Sequence, residues 1–268
     1  MNAGQMLTVF THAIVREVSR SLAECELVHL PRQKIDLALA RRQHAAYVAA
    51  LESAGVRVRV LPEAPALPDA TFIEDPLLVL DEFAVVCRPG AASREPESEF
   101  LAREIAANRP VFRLAAPATL EGGDVLPIGR TLFVGNSSRT NREGIAQLER
   151  IVSRLGYRVV PVAVKNCLHL KTGITAPADG LLLANPEWIE VGPFAGIEVV
   201  PVPPSEPWGA NTLSVNGRVF VAATAPRTAE LLAARGLEVL RIDISELQKA
   251  EAGLTCLSLL YRDGGHLG

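Results

Sequence analysis

The sequence predicts an α/β chain closed into a ring of five similar units, and two observations predict it. A strand, a polar loop, an amphipathic helix and a second strand recur along the chain, with closing strands roughly 40 to 55 residues apart, the signature of a repeat architecture. Strand–helix alternation alone would also suit a Rossmann sheet. That fold needs a glycine-rich turn after its first strand, and the chain has neither a GxGxxG nor a phosphate loop.

The elements follow in order. Met6–Val15 reads as a strand, Gln33–Ala54 as a helix ended by Gly55, and Val56–Leu61 as its closing strand. The proline-rich run from Pro62 to Pro68 reads as a rigid loop, not a linker between domains. The second unit is strand Glu82–Cys87, helix Glu97–Ala107 and strand Val111–Leu114. The third is strand Arg130–Val134, helix Arg142–Leu155, Gly156 and strand Tyr157–Val162. Gly180–Ala184 opens the fourth, which closes at Ile197–Val202. The fifth is Gly217–Ala222, helix Pro226–Arg235, Gly236 and strand Leu237–Ile242. Gly55, Gly156 and Gly236 each follow a helix, where a left-handed residue ends the hydrogen-bond ladder.

Composition narrows the function classes. The 268 residues are 49% apolar and 21% charged, a soluble globular balance that reads as a single catalytic domain over 1–268. A net charge of -3 without a Lys/Arg cluster gives no pull toward nucleic acid or an anionic membrane. No apolar run reaches the roughly 20 residues of a membrane helix. The stretch from Met6 to Val15 lacks the flanks of a signal peptide. The four cysteines, Cys25, Cys87, Cys167 and Cys256, form no CxxC pair, so all read as thiols in a cytoplasmic protein.

Four places can carry chemistry. Asp69, Glu74 and Asp75 surround Phe72 and Ile73 in one loop, which reads either as a solvated acidic loop or as a partly buried cation site. Its carboxylates suit a guanidinium and equally a hard metal such as calcium. Glu121 and Asp124 flank Gly122 and Gly123, a plain turn or a carboxylate on a restrained loop. His169 follows an apolar strand and precedes a turn, in a stronger context than His12, His29, His44 or His266. Cys256 follows Gly253 near the start of an apolar strand, whereas Cys87 sits inside one and fits an inert thiol. Each place alone also suits a structural role. Together, a thiol, a histidine and two carboxylate loops suit thiolate attack on a guanidinium. Acids hold the cation, and the histidine protonates the leaving amine and then activates water.

Five segments in order carry a resemblance: Asp69-Ala70-Thr71-Phe72-Ile73-Glu74-Asp75, Arg88-Pro89-Gly90-Ala91-Ala92-Ser93-Arg94, Leu120-Glu121-Gly122-Gly123-Asp124, His169-Leu170-Lys171-Thr172-Gly173 and Gly253-Leu254-Thr255-Cys256. From about Val9 to Tyr261 the chain resembles the dimethylarginine dimethylaminohydrolases of the guanidino-modifying enzyme superfamily. The resemblance implies a five-bladed α/β propeller of pseudo-repeated ββαβ units, the pentein-like fold. It implies Cys256 as nucleophile, His169 as general acid and base, and Glu121 orienting His169. Asp75 would hold the guanidinium with Glu74 beside it, and Asp69 would meet the α-ammonium. Arg94 and Arg139 would clamp the α-carboxylate, as forked arginine can. The loop Arg20–Pro31 would be a lid, with the Leu27 backbone touching substrate. Here Cys25 and Glu26 precede Leu27 where many members carry glycine, and Glu251-Ala252-Gly253 replaces a more usual Asp-Gly-Gly. The implied reaction is hydrolysis of Nω-methylated arginine to citrulline and a methylamine, without cofactor or metal. The partner is a small amino-acid substrate, and a homodimer is an open assembly. Arginine or agmatine deimination on the same site, or a non-catalytic amino-acid binder, are the competing readings.

Overall fold

The computed structural model describes residues 9–106 and 109–262. Its first unit holds β1 (His12–Arg16), α1 (Leu37–Ser53) and β2 (Arg57–Leu61). The second holds β3 (Leu77–Val79), β4 (Ala84–Val86), α2 (Glu95–Ile105) and β5 (Val111–Arg113). The third holds β6 (Val125–Ile128), β7 (Thr131–Asn136), α3 (Arg142–Val152) and β8 (Arg158–Ala163). After α4 (Leu170–Gly173), the fourth holds β9 (Ile174–Ala178), β10 (Leu181–Ala184) and β11 (Glu198–Pro201). The fifth holds β12 (Leu213–Val215), β13 (Arg218–Ala222), α5 (Pro226–Ala233) and β14 (Glu238–Ile242). The chain ends with α6 (Ser245–Gln248) and β15 (Leu259–Tyr261).

These strands form five three-stranded sheets with one pattern. A leading strand pairs antiparallel with a middle strand, which pairs parallel with a closing strand, as in β6-β7-β8. The first sheet takes its leading strand from the other end of the chain: β15 pairs antiparallel with β1, Ala13 opposite Leu260. That pairing closes the ring. Burial says the same. Five apolar clusters lie among the described residues, one between each neighbouring pair of units. Ile14, Leu77 and Leu101 join the first two, and Val15, Phe220 and Ile242 join the last to the first. Each such buried aliphatic or Phe side chain contributes about 1.5–3 kcal/mol, so every unit depends on two neighbours.

The expected five-unit ring is present, with local differences that have physical causes. The first helix begins at Leu37, not Gln33, because the Asp36 side chain accepts the Leu39 N–H at 2.9 Å and caps it there. The second begins at Glu95, with Pro96 in its first turn. The third ends at Val152 and tightens into a 3-10 turn before Gly156 at φ 79. The first strand is His12–Arg16, and Met6–Thr8 and His266 lie outside the described residues, as does Ala107. Apart from the apolar strand expected after Cys256, which is β15, the leading strands were expected only through the family resemblance. In the fourth unit a 3-10 turn, Gly192–Phe194, stands where the others place a helix. The five leading strands surround an axial cavity of about 750 Å³, with Leu77, Val125, Ala176, Thr212 and Leu259 on its wall.

Candidate active site

Each leading strand starts at the same mouth of the ring, so the segments before them converge. Asp75 precedes β3, Glu121 precedes β6, His169 precedes β9, Asn211 precedes β12 and Cys256 precedes β15. The repeat thus delivers one polar side chain per unit to the axis.

His169, at the start of α4, is buried between carboxylates. Its Nε2 bonds Glu121 Oε2 at 2.6 Å, and its Nδ1 lies 3.8 Å from Asp75 Oδ1. Burial alone would lower the imidazole. Asp75, the bond to Glu121 and Asp124 outweigh it and push His169 up to about 9. Burial likewise opposes ionisation of Glu121, yet the His169 bond holds Glu121 below its ordinary value. Glu121 is fully buried and also accepts the Gly90 N–H at 2.9 Å.

The two glycines after Glu121 are required by space. A Cβ at Gly122 would lie 2.1 Å from the Glu74 carbonyl oxygen, and one at Gly123 would lie 2.7 Å from His169 Nδ1 and 2.8 Å from Asp75 Oδ1. The Gly123 N–H donates to Asp75 Oδ1 at 3.1 Å. Asp124 ties the surrounding loops together: it accepts the Leu170 N–H at 2.8 Å and the Ser137 hydroxyl at 2.6 Å. Burial pushes Asp124 up to about 6.

Cys256 lies in a 3-10 turn, Thr255–Leu257, and is partly exposed, whereas Cys25, Cys87 and Cys167 are buried. Tyr47 of α1 anchors this turn through bonds to the Leu254 carbonyl at 3.1 Å and the Ser258 hydroxyl at 2.7 Å. The Cys256 carbonyl accepts the Glu74 N–H at 3.3 Å, and its Sγ accepts the Gly253 N–H at 3.4 Å. Burial, then the charges of Asp75 and Glu74, push the thiol up to about 12. Asp75 and Glu74 thus put negative charge beside the sulfur. That charge suits a cation, and a cation placed there would favour the thiolate that nucleophilic attack needs.

The remaining predicted residues divide. Asp69 is buried and accepts the Glu26 N–H at 3.1 Å, next to Leu27. Arg139 is buried, and its Nη1 has no hydrogen-bond partner and lies 3.6 Å from Glu121 Oε1. That leaves it able to take an anion. Arg94, expected in the carboxylate clamp, is buried among acceptors of the protein itself. Its Nε donates to Glu97 at 3.2 Å, its Nη1 to Asp75 at 2.7 Å, and its Nη2 to Glu97 and to the Asp69 and Phe72 carbonyls. It holds the acidic loop in shape. Glu74, expected beside the guanidinium, pairs with Lys171 and accepts the Thr255 hydroxyl at 2.8 Å.

Sequence reasoning missed Asn211, whose Nδ2 donates to the Lys171 carbonyl at 2.8 Å and whose Oδ1 accepts the Thr255 N–H at 3.2 Å. Its place just before the three-residue strand β12 left no local signal that could have found it. A cavity of about 370 Å³ opens beside this group, walled by Leu30, Trp208, Asn211, Glu251 and Gly253. Among the described residues, Asp75, Glu121 and His169 bring ligand atoms within 4.8 Å of one another, a spacing a metal could use. Here those atoms face Arg94, Gly90 and each other.

A five-unit α/β ring whose axis gathers a thiol, an imidazole and buried carboxylates defines the guanidino-modifying class of enzymes. The comparisons with known proteins narrow it. The family model for eukaryotic N,N dimethylarginine dimethylhydrolase matches residues 28–189. The N(G),N(G)-dimethylarginine dimethylaminohydrolase of Streptomyces coelicolor is 41% identical, over 94% of this chain and 97% of that protein. The Pseudomonas aeruginosa protein of the same name is 36% identical, over 94% of this chain and 100% of its own. The solved Pseudomonas aeruginosa enzyme complexed with citrulline superimposes with a TM-score of 0.90, covering 94% of this chain and 99% of that one. An arginine dihydrolase domain from cyanobacteria, 21% identical, shares the fold with a TM-score of 0.84. The chain belongs to the dimethylarginine dimethylaminohydrolase family.

Proposed function

We propose that the protein hydrolyses Nω-methylated L-arginine to L-citrulline and methylamine or dimethylamine. The observation that carries this reading is the set of buried charges gathered here. Asp75, Glu121 and His169 bring polar atoms within 4.8 Å of one another beside Arg139, whose Nη1 lies 3.6 Å from Glu121, and Asp69 and Arg139 are the groups that could meet an amino acid's ammonium and carboxylate. The named relatives support the substrate class.

In the reaction the substrate cation first enters a site lined with acids. Burial and the charges of Asp75 and Glu74 keep Cys256 protonated; the cation offsets those charges, and the thiol gives up its proton to solvent water. The sulfur attacks the guanidinium carbon, and protonated His169 passes its proton to the departing amine. The C–N bond breaks and an S-alkylthiouronium remains on Cys256. Neutral His169 then takes a proton from water, the hydroxide adds to the same carbon, the C–S bond breaks to return thiolate, and the added hydroxyl releases its proton to solvent to leave citrulline. Glu121 keeps the imidazole ring oriented and stabilises its cationic form. The reading includes one catalytic domain acting in the cytoplasm, supported by four cysteines with no disulfide among them, and a homodimer as a candidate assembly. No helix of the described residues is long and apolar enough to cross a membrane.

Citrulline release from arginine, monomethylarginine and dimethylarginine, combined with mass spectrometry of acid-quenched protein, tests the proposal. A thiouronium adduct on Cys256 and preference for methylated substrates are expected. A clear preference for arginine would overturn the substrate assignment, since one or two methyl groups are worth only about 1–3 kcal/mol of discrimination.

A further inference from the structure

Glu251 lies in the turn after α6 and has a left-handed backbone at φ 59, a conformation that side chains bearing a Cβ rarely adopt. It is 6% exposed. Its Oε1 accepts three successive backbone N–H groups, from Val28 at 3.0 Å, His29 at 2.5 Å and Leu30 at 2.6 Å. Consecutive amides turned toward one anion form a nest. The second oxygen, Oε2, is buried without a hydrogen-bond partner. The charge is thus directed onto the Val28–Leu30 segment, which is otherwise exposed at Val28 and His29.

The same segment has a second anchor. The Glu26 N–H donates to Asp69 Oδ2 at 3.1 Å. Leu27 hangs between the two carboxylates. They differ in what the reaction asks of them: an arriving ammonium competes with the Glu26 N–H for Asp69, whereas nothing in the proposed chemistry competes for Glu251. Glu251 also shares its turn with Gly253, whose N–H meets Cys256 Sγ.

We propose that Glu251 is a positioning residue, a latch that ties Val28–Leu30 to the turn leading into Cys256. It keeps Leu27 over the amino-acid end of the site while Asp69 changes partners. The kinetic consequence rests on the function proposed above; the latch itself does not.

Two variants of the full chain test it. Glu251→Gln keeps the side-chain shape and removes the charge. Glu251→Gly removes the carboxylate and suits φ 59, so it separates the latch from backbone strain. Hydrogen exchange read on peptides spanning residues 26–30 should quicken at least tenfold in both. KM for dimethylarginine should rise at least fivefold while kcat stays within twofold, and the Gly variant should melt no lower than the parent. Unchanged exchange at residues 26–30 in Glu251→Gly overturns the proposal. So does a fall in kcat at constant KM, or KM and kcat changing together with a lowered melting temperature. If the parent protein turns over no guanidino compound, the function reading fails, and the exchange measurement still decides the latch.

Discussion

Replacing Glu121 by Gln removes one charge from a fully buried site with little change of shape. In the parent, His169 is raised from 6.5 to about 9, against a burial effect that opposes it. Asp75 contributes most of the upward pull, followed by the hydrogen bond to Glu121. Losing the second should lower His169 from about 9 toward its ordinary value. NMR titration of ¹³C-histidine protein reads this directly, with His169→Asn identifying the resonance. Stability supplies an independent readout. A histidine raised in the folded state contributes stability that is full below pH 6.5 and is lost as pH climbs through 9. Urea unfolding of the parent should therefore weaken between those values, and Glu121→Gln should flatten the slope. A parent His169 that titrates at or below 6.5, or a variant that titrates at the same pH as the parent, would refute the electrostatic account of the site.

Iodoacetamide should label Cys256 slowly at neutral pH and about tenfold faster per pH unit between 7 and 10, because the thiol is pushed up to about 12; a plateau by pH 8 would contradict this. Arg94→Ala should cost about 3–5 kcal/mol in urea unfolding, since it leaves Asp75 and Glu97 buried without their partner. Arg139→Ala should change stability far less and raise KM at least tenfold, and the reverse pattern in steady-state and unfolding data would exchange the two roles. Gly123→Ala should destabilise by about 1–3 kcal/mol, an overpacking cost, and lower turnover at least a hundredfold, because its Cβ displaces His169 and Asp75 together; near-parental citrulline production would disprove the close approach.

The five-unit ring was legible in the sequence because its signals are local. Helical spacing, strand alternation and a closing glycine such as Gly156 are written within a few neighbouring residues. The chemical side chains were legible as types: Asp75, Glu121 and His169 bring polar atoms within 4.8 Å of one another, and the Cys256 carbonyl accepts the N–H of Glu74, next to Asp75. The three-residue leading strands β3, β12 and β15 were not legible, being too short to show a period and stabilised by contacts across the ring. Tertiary structure alone separated Arg94 from Arg139. Both are buried arginines in loops, but Glu97 and Asp75 fold against one and leave an N–H of the other unbonded. It alone turned Glu74 toward Lys171, brought Asn211 under Thr255, and set Glu251 against Val28–Leu30. The physical reason is that a polar side chain's role depends on which donors and acceptors reach it. Those partners come from segments remote along the chain, whose approach no local pattern records.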